Sequence, residues 1–69
     1  MITITSNLRA IMEAKKITIR AMEEHTGLSN VTILKARRKG ITSCRLGVLQ
    51  IMAEYLGVKT KDLYDESEA

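Results

Sequence analysis

The chain contains no proline, and three of its four glycines divide it into short segments. Gly27, Gly40 and Gly57 each follow a stretch in which apolar residues recur at helical spacing. Glycine readily closes a helix because it adopts the left-handed conformation without steric cost. Only Met1–Thr5 shows a strand-like alternation, so the pattern predicts an all-α chain.

The glycines and the apolar spacing together predict five helices. They are expected over about 7–15, 19–26, 30–38 and 44–56, with a short last helix over about 60–64. Gly47, inside the fourth helix, indicates either a close helix approach or a frayed first turn, and we favour the frayed turn. The folded domain is expected to span 1–64, and the acidic residues 65–69 are expected to form a disordered tail.

Composition excludes several classes of protein. Cys44 is the only cysteine and His25 the only histidine, so neither a disulfide framework nor a zinc site with Cys/His pairs can be assembled. No nucleophile–base pair or phosphate loop is present either, so we expect no enzymatic activity and no cofactor. The N-terminus lacks the order of a signal peptide, and no apolar run approaches about 18 residues. These features predict a cytoplasmic protein that does not contact a membrane.

The net charge of +3 conceals an uneven distribution. The first 61 residues hold eleven basic and four acidic residues, a net charge of +7. Lys35, Arg37, Arg38 and Lys39 form a basic cluster at the end of the predicted third helix. Such a cluster is typical of nucleic-acid binders, although a solvated helix end is the alternative.

The stretch from Thr18 to Gly40 has the spacing of a helix-turn-helix. Gly27 allows the chain to reverse, Leu28 fills the angle between the two helices, and Ser29 caps the second helix. A capped helix N-terminus can also approach a phosphate group. Other helical hairpins share this pattern, so the spacing alone is only moderately specific.

The sequence resembles the phage repressor and Cro-like helix-turn-helix family, also called the xenobiotic-response-element type, over about residues 7–64. The resemblance rests on Ile17-Thr18, Met22, Thr26-Gly27-Leu28-Ser29, Thr32-Ile33 and Gly40, and on a second run with Leu49, Met52-Ala53, Leu56-Gly57-Val58 and Leu63-Tyr64. It implies a compact five-helix lambda-repressor-like domain with its third helix in the major groove of double-stranded DNA. It also implies a homodimer on a near-palindromic operator.

Two positions depart from the family pattern. Ile19 stands where the family often has a glutamine that bonds a phosphate, and Glu23 stands where it usually has an alanine at the close crossing of the two helices. The phosphate contact and the interhelical angle are therefore the features in which this chain is expected to differ.

The resemblance also implies which side chains face DNA. The base-reading residues are expected to be Asn30, Val31, Leu34 and Lys35, which share the outward side of the third helix. The backbone contacts are expected from Thr18, Arg20, Ser29, Thr32, Arg37, Arg38, Lys39, Ser43 and Arg45. For Leu34 the alternative is that it folds back onto the loop at Ile41 as a core residue.

These observations predict a sequence-specific regulator of transcription that acts as a repressor. An RNA-binding module is disfavoured, because the chain has no Phe or Trp to stack on bases. The stronger alternative is a protein-interaction module, an antirepressor or antitoxin-like adaptor, for which Ile19, Glu23 and Leu34 are the motivation. The dimer contact is expected at Tyr55, Val58, Leu63 and Tyr64.

Overall fold

Over residues 1–68, which the structure describes, a computed structural model shows four α-helices and a two-stranded antiparallel sheet. In chain order the elements are β1 (Ile2–Ser6), α1 (Leu8–Ala14), α2 (Ile19–Thr26), α3 (Asn30–Ala36), α4 (Leu46–Leu56) and β2 (Tyr64–Glu68). Two 3-10 turns, Lys39–Ser43 and Thr60–Leu63, precede α4 and β2 respectively.

The prediction of an all-α, five-helix domain was wrong. The expected fifth helix is a 3-10 turn, and the two ends of the described chain form strands. β1 pairs with β2 so that Ile4 lies opposite Glu66 and Ser6 opposite Tyr64. Residues 65–68, which we expected to be disordered, therefore belong to the sheet, while Ala69 of that expected tail lies outside the described residues.

Side-chain caps set the starts of α2 and α3, and a glycine sets the end of α2, as the sequence predicts. The Thr18 side chain accepts a hydrogen bond from the backbone N–H of Ala21, and Ser29 caps α3 in the same way through the N–H of Thr32. Gly27 ends α2 with a φ of 75°, in the left-handed region. α3 ends at Ala36, two residues before the predicted end at Arg38.

The core is apolar and draws on all four helices. Its largest fully buried side chains are Leu8, Met12, Met22, Ile33, Met52 and Leu63. No polar or charged residue of the described chain is buried. Apolar packing thus supplies the stabilisation that a disulfide or metal would otherwise give a chain of this length.

Strand β1 is attached to the end of α3. The Ser6 hydroxyl donates a hydrogen bond to the Ala36 carbonyl oxygen, and the backbone N–H of Asn7 donates to the Leu63 carbonyl oxygen at 2.8 Å. The sheet therefore lies beside the C-terminal end of α3. No helix within residues 1–68 has the length and hydropathy needed to cross a membrane.

Candidate nucleic-acid interface

Helix α3 separates a buried side from an exposed side. Ile33 and Ala36 are fully buried, whereas Asn30 and Lys35 are exposed and Val31 is 71% exposed. A single exposed apolar residue is common on protein surfaces, so Val31 matters here only through its place beside Asn30 and Lys35. The outward side of α3 therefore combines an amide, an ammonium group and an apolar group within one helix of seven residues.

Leu34 lies at the edge of this outward side. It is half-buried and lines a cleft of about 170 Å³ together with Arg9, Arg37 and Arg38. It is not among the half-buried apolar residues that pack on the core. Ile41, which we considered as an alternative partner, is itself a core residue that lines a different cleft with Leu46 and Leu49.

Three hydroxyl side chains lie at the starts of α2 and α3. The Thr18 oxygen accepts from Ala21 N–H at 3.1 Å, and the Ser29 oxygen accepts from Thr32 N–H at 3.3 Å. The Thr32 hydroxyl lies 3.0 Å from the Ser29 hydroxyl and is half-buried. A hydroxyl that accepts a capping hydrogen bond still has its own proton to donate, so Thr18 and Ser29 can cap a helix and bind a phosphate at once.

The positive charges that follow α3 have no acidic partner. Between residues 1 and 68 the two ion pairs are Arg9–Glu13 at 2.9 Å and Arg20–Glu24 at 3.4 Å. Both are exposed pairs one helical turn apart, which contribute little to stability. Arg37, Arg38 and Lys39 form no such pair, so their charge is available to an anionic ligand. Ser43 and Arg45, also exposed, lie farther along the same connection to α4.

Gly40 does not end α3, contrary to the sequence prediction, but lies within the 3-10 turn Lys39–Ser43, where a close contact requires a glycine. A Cβ atom at this position would lie 2.5 Å from Cγ of Lys35 and 3.0 Å from its carbonyl oxygen. The connection after α3 therefore passes directly over Lys35, one of the predicted base-reading residues. In contrast, a Cβ atom at Gly47 would meet nothing within 4 Å. Gly47 is the second residue of α4, so the structure excludes the close helix approach.

The two departures from the family pattern lie where α2 meets its neighbours. Ile19, the first residue of α2, is half-buried and packs against the core. It thus contributes apolar packing where a glutamine would contribute a hydrogen bond. Glu23 is half-buried. An isolated charge at a helix crossing is costly unless its carboxylate reaches water, which partial exposure permits.

Sequence reasoning missed Arg9 and misjudged one predicted contact. Arg9 lies on α1, far from the helix-turn-helix in sequence, and only the fold brings it beside Arg37 and Arg38. Leu63, expected at a dimer contact, is fully buried within its own chain. Tyr55, expected there too, stacks on His25 with ring centroids 4.9 Å apart. Neither the place of Arg9 beside the arginines after α3 nor the stacking of Tyr55 on His25 has a local signal in the sequence, because the partners lie in different elements.

Comparison with known protein families agrees with this geometry. The family model of the Cro/C1-type helix-turn-helix DNA-binding domain matches residues 7–66, nearly the whole chain. The chain belongs to this family. The family resemblance drawn from the sequence is therefore confirmed.

Membership in the Cro/C1-type family indicates DNA binding and the regulation of transcription, and this family is of a non-enzymatic kind. Within the domain, α2 and α3 are the helix-turn-helix, and the whole of β1 precedes the matched region. Searches of curated proteins and of solved structures find no significant match.

Proposed function

We propose that this Cro/C1-type domain binds a specific sequence of double-stranded DNA, with α3 in the major groove, and represses transcription as a homodimer. One observation carries the proposal: α3 exposes Asn30, Val31 and Lys35 on one side and ends in three cations without acidic partners. The major groove is wide enough to admit a helix, and its walls are phosphates that such cations neutralise.

The exposed side of α3 has a donor, an acceptor and an apolar group to match base edges. The Asn30 amide has the geometry for a bidentate contact to adenine, and the Lys35 ammonium group donates to the O6 and N7 acceptors of guanine. Val31 and Leu34 match the C5-methyl group of thymine, which is the apolar feature of the major groove. We assign base reading to these four residues.

Backbone phosphates are bound on both sides of α3. The start of α2 contributes Thr18 and Arg20, and the start of α3 contributes Ser29 and Thr32. The end of α3 and the connection to α4 contribute Arg37, Arg38, Lys39, Ser43 and Arg45. Contacts of this kind fix the position of the domain on DNA without reading sequence.

Repression follows from occupancy of the operator. With α3 in the major groove, the body of the domain, 37 × 21 × 16 Å over the described residues, would exclude polymerase from an operator that overlaps a promoter. Blocking by occupancy needs no surface besides the one that binds DNA.

One observation favours a second candidate function. Val31 is 71% exposed and Leu46 67% exposed, and apolar groups of this kind also suit a contact with protein. An antirepressor or antitoxin-like adaptor would use them to bind a protein partner instead of DNA. The unpaired charges of Arg37–Lys39 distinguish the two functions, because a phosphate backbone needs them and an apolar protein surface does not.

The test is selection of bound sequences from random duplex DNA, followed by titration of the selected duplex at several salt concentrations. We expect a near-palindromic consensus. Each phosphate contact should add about −0.9 to the slope of log K against log salt, so four to six contacts per half-site are readily measured. Lys35→Ala should relax the consensus at one position, whereas Lys61→Ala, an exposed control, should not. A flat titration with every duplex at low salt would favour the adaptor.

A further inference from the structure

Arg37 and Arg38 separate two open clefts beside the end of α3. The first, which we call the arginine cleft, has a volume of about 170 Å³ and is lined by Arg9, Leu34, Arg37 and Arg38. The second, which we call the strand cleft, has a volume of about 190 Å³ and is lined by Thr3, Ile4, Thr5, Ser6, Arg37, Arg38 and Lys39. Helix α1 thus borders one cleft and strand β1 the other.

The electrostatics of the two clefts favour an anion. Neither is lined by an acidic residue, and together they hold four cationic side chains. Three of these lack an acidic partner. The fourth, Arg9, pairs with Glu13, but the Arg9 side chain is 69% exposed and the Glu13 side chain 63% exposed. A pair so exposed is weak and can be exchanged for a phosphate without a large penalty.

The shape of the clefts favours a polymer over a small ion. Guanidinium groups bind phosphate oxygens through a planar fork of N–H donors. Here the same two arginines border both clefts, so phosphates in the two clefts would be neighbours. Both clefts are open to solvent, so a phosphodiester chain can reach each of them.

Strand β1 is held firmly enough to take part. The bond from the Ser6 hydroxyl to the Ala36 carbonyl oxygen fixes it against the end of α3. Thr3 and Thr5 are both exposed, so their hydroxyls are free to donate to a phosphate. Across the sheet, Asp65 lies opposite Thr5 and Glu66 opposite Ile4, but no residue of β2 borders the strand cleft.

We infer that the two clefts form one phosphodiester track, in which Arg9 of α1 and Thr3 and Thr5 of β1 bind backbone phosphates outside the base pairs read by α3. The inference rests on the proposed DNA-binding function and extends the contact surface beyond the helix-turn-helix. The footprint of one domain is then longer than α3 alone would give.

The test compares Arg9→Gln with Lys61→Gln, which removes the same charge from an exposed residue that lines neither cleft. Each variant is titrated with its selected operator in a short duplex and in a duplex extended by flanking base pairs, at several salt concentrations. Wild type should bind the extended duplex more tightly. Arg9→Gln should lower the magnitude of the salt slope by about 0.9 on the extended duplex, whereas Lys61→Gln should not.

The double variant Thr3→Val, Thr5→Val tests the strand cleft without a change in charge. Valine keeps the β-branched shape that suits a strand. This variant should lose part of the preference for the extended duplex while binding the short duplex as wild type does. Circular dichroism and thermal unfolding check that the sheet is retained.

The outcomes separate the track from the function it rests on. Equal salt slopes for Arg9→Gln and Lys61→Gln, with DNA binding intact, would overturn the track and leave the proposed function standing. Inorganic phosphate is the second probe, and its binding is monitored through the NMR chemical shifts of the backbone amides of residues 37–39. Saturation by phosphate alone, with no effect of duplex length, would show a site for a free anion and would also overturn the track. If wild type bound no duplex at low salt, the proposed function would fail and the track with it.

Discussion

Gly40 and Gly47 differ in the space that an added methyl group would find. At Gly40 the new Cβ would lie 2.5 Å from Lys35 Cγ and 3.0 Å from the Lys35 carbonyl oxygen. The side chain can move away, but the carbonyl is fixed by the helix. We expect Gly40→Ala to lower the free energy of unfolding by about 1–3 kcal/mol, the usual cost of overpacking.

Gly47→Ala is the matched control. It adds the same methyl group in the first turn of α4, where no atom lies within 4 Å. Alanine is the better helix former by up to about 1 kcal/mol, so this variant should be more stable than wild type. Urea unfolding of both variants measures the two effects, and the reverse order of stability would contradict the contact at Lys35.

Val31 and Leu34 lead to a prediction about thymine. If they pack on thymine methyl groups, replacing the relevant operator thymine with deoxyuracil removes only that methyl group. The binding free energy should weaken by about 0.8 kcal/mol, the usual value for one buried carbon.

The matching protein variant is Leu34→Ala. It should abolish the sensitivity to deoxyuracil at the thymine that Leu34 contacts and leave the domain folded, since Leu34 does not pack on the core. Thermal unfolding checks the fold. Unfolding of the domain by Leu34→Ala, or equal binding of every deoxyuracil operator, would contradict the assignment of base reading to this side of α3.

At the scale of elements, the sequence predicts those elements that are stabilised by interactions between residues close together in the chain. The N-caps Thr18 and Ser29 and the turn at Gly27 are each formed by residues within a few positions, so α2 and α3 could be predicted from sequence. The sheet could not: the alternation over Met1–Thr5 indicates a strand, but the strand that pairs with it lies about 60 positions away. β2 is also rich in Asp and Glu, which are uncommon in strands.

In the candidate site, too, local features could be predicted from the sequence and long-range contacts could not. The exposed side of α3 could be predicted, because it follows from helical spacing. The place of Arg9 beside Arg37 could not, because it depends on how α1 packs. Lys16 gives a further example: it adopts a φ of 57°, a conformation that glycine favours, and a lysine gives no sequence signal for it.

The attachment of β1 to α3 is testable through one hydroxyl. Ser6→Ala removes the donor to the Ala36 carbonyl oxygen across 30 positions of sequence, and also the acceptor of the Leu8 N–H at 3.3 Å. We expect unfolding to become easier by about 0.5–1.5 kcal/mol. Because the bond holds the end of α3, amide exchange should accelerate at Arg37, whose N–H bonds to Ile33.

Ser67→Ala is the control for this prediction. Ser67 lies in the other strand of the same sheet and is exposed, so its replacement should change stability by less than about 0.5 kcal/mol. Equal effects of the two substitutions would show that β1 is not tied to α3 through Ser6.

At the scale of the whole molecule, the length of α3 argues for two copies. Its seven residues span about 10 Å at 1.5 Å per residue. At 3.4 Å per base pair this is about three base pairs, too few to define a site among the many competing sequences of a genome. A second copy doubles the number of base pairs read, and this supports the proposed homodimer.

A homodimer of this kind predicts a strict spacing between half-sites. Two recognition helices related by a two-fold axis should meet the major groove about 34 Å apart, one turn of DNA. An insertion of five base pairs turns the second half-site to the opposite face of the duplex, and an insertion of ten restores the face but doubles the distance. A rigid dimer cannot bind both half-sites in either arrangement, so both insertions should reduce the affinity to that of a single half-site. Two independent monomers would tolerate both, and full tolerance in a gel-shift titration would contradict the dimer.

Since Leu63 is buried inside its own chain, Leu63→Ala should unfold the domain rather than separate two folded copies. Sedimentation of the folded wild-type protein is the independent measure of its oligomeric state.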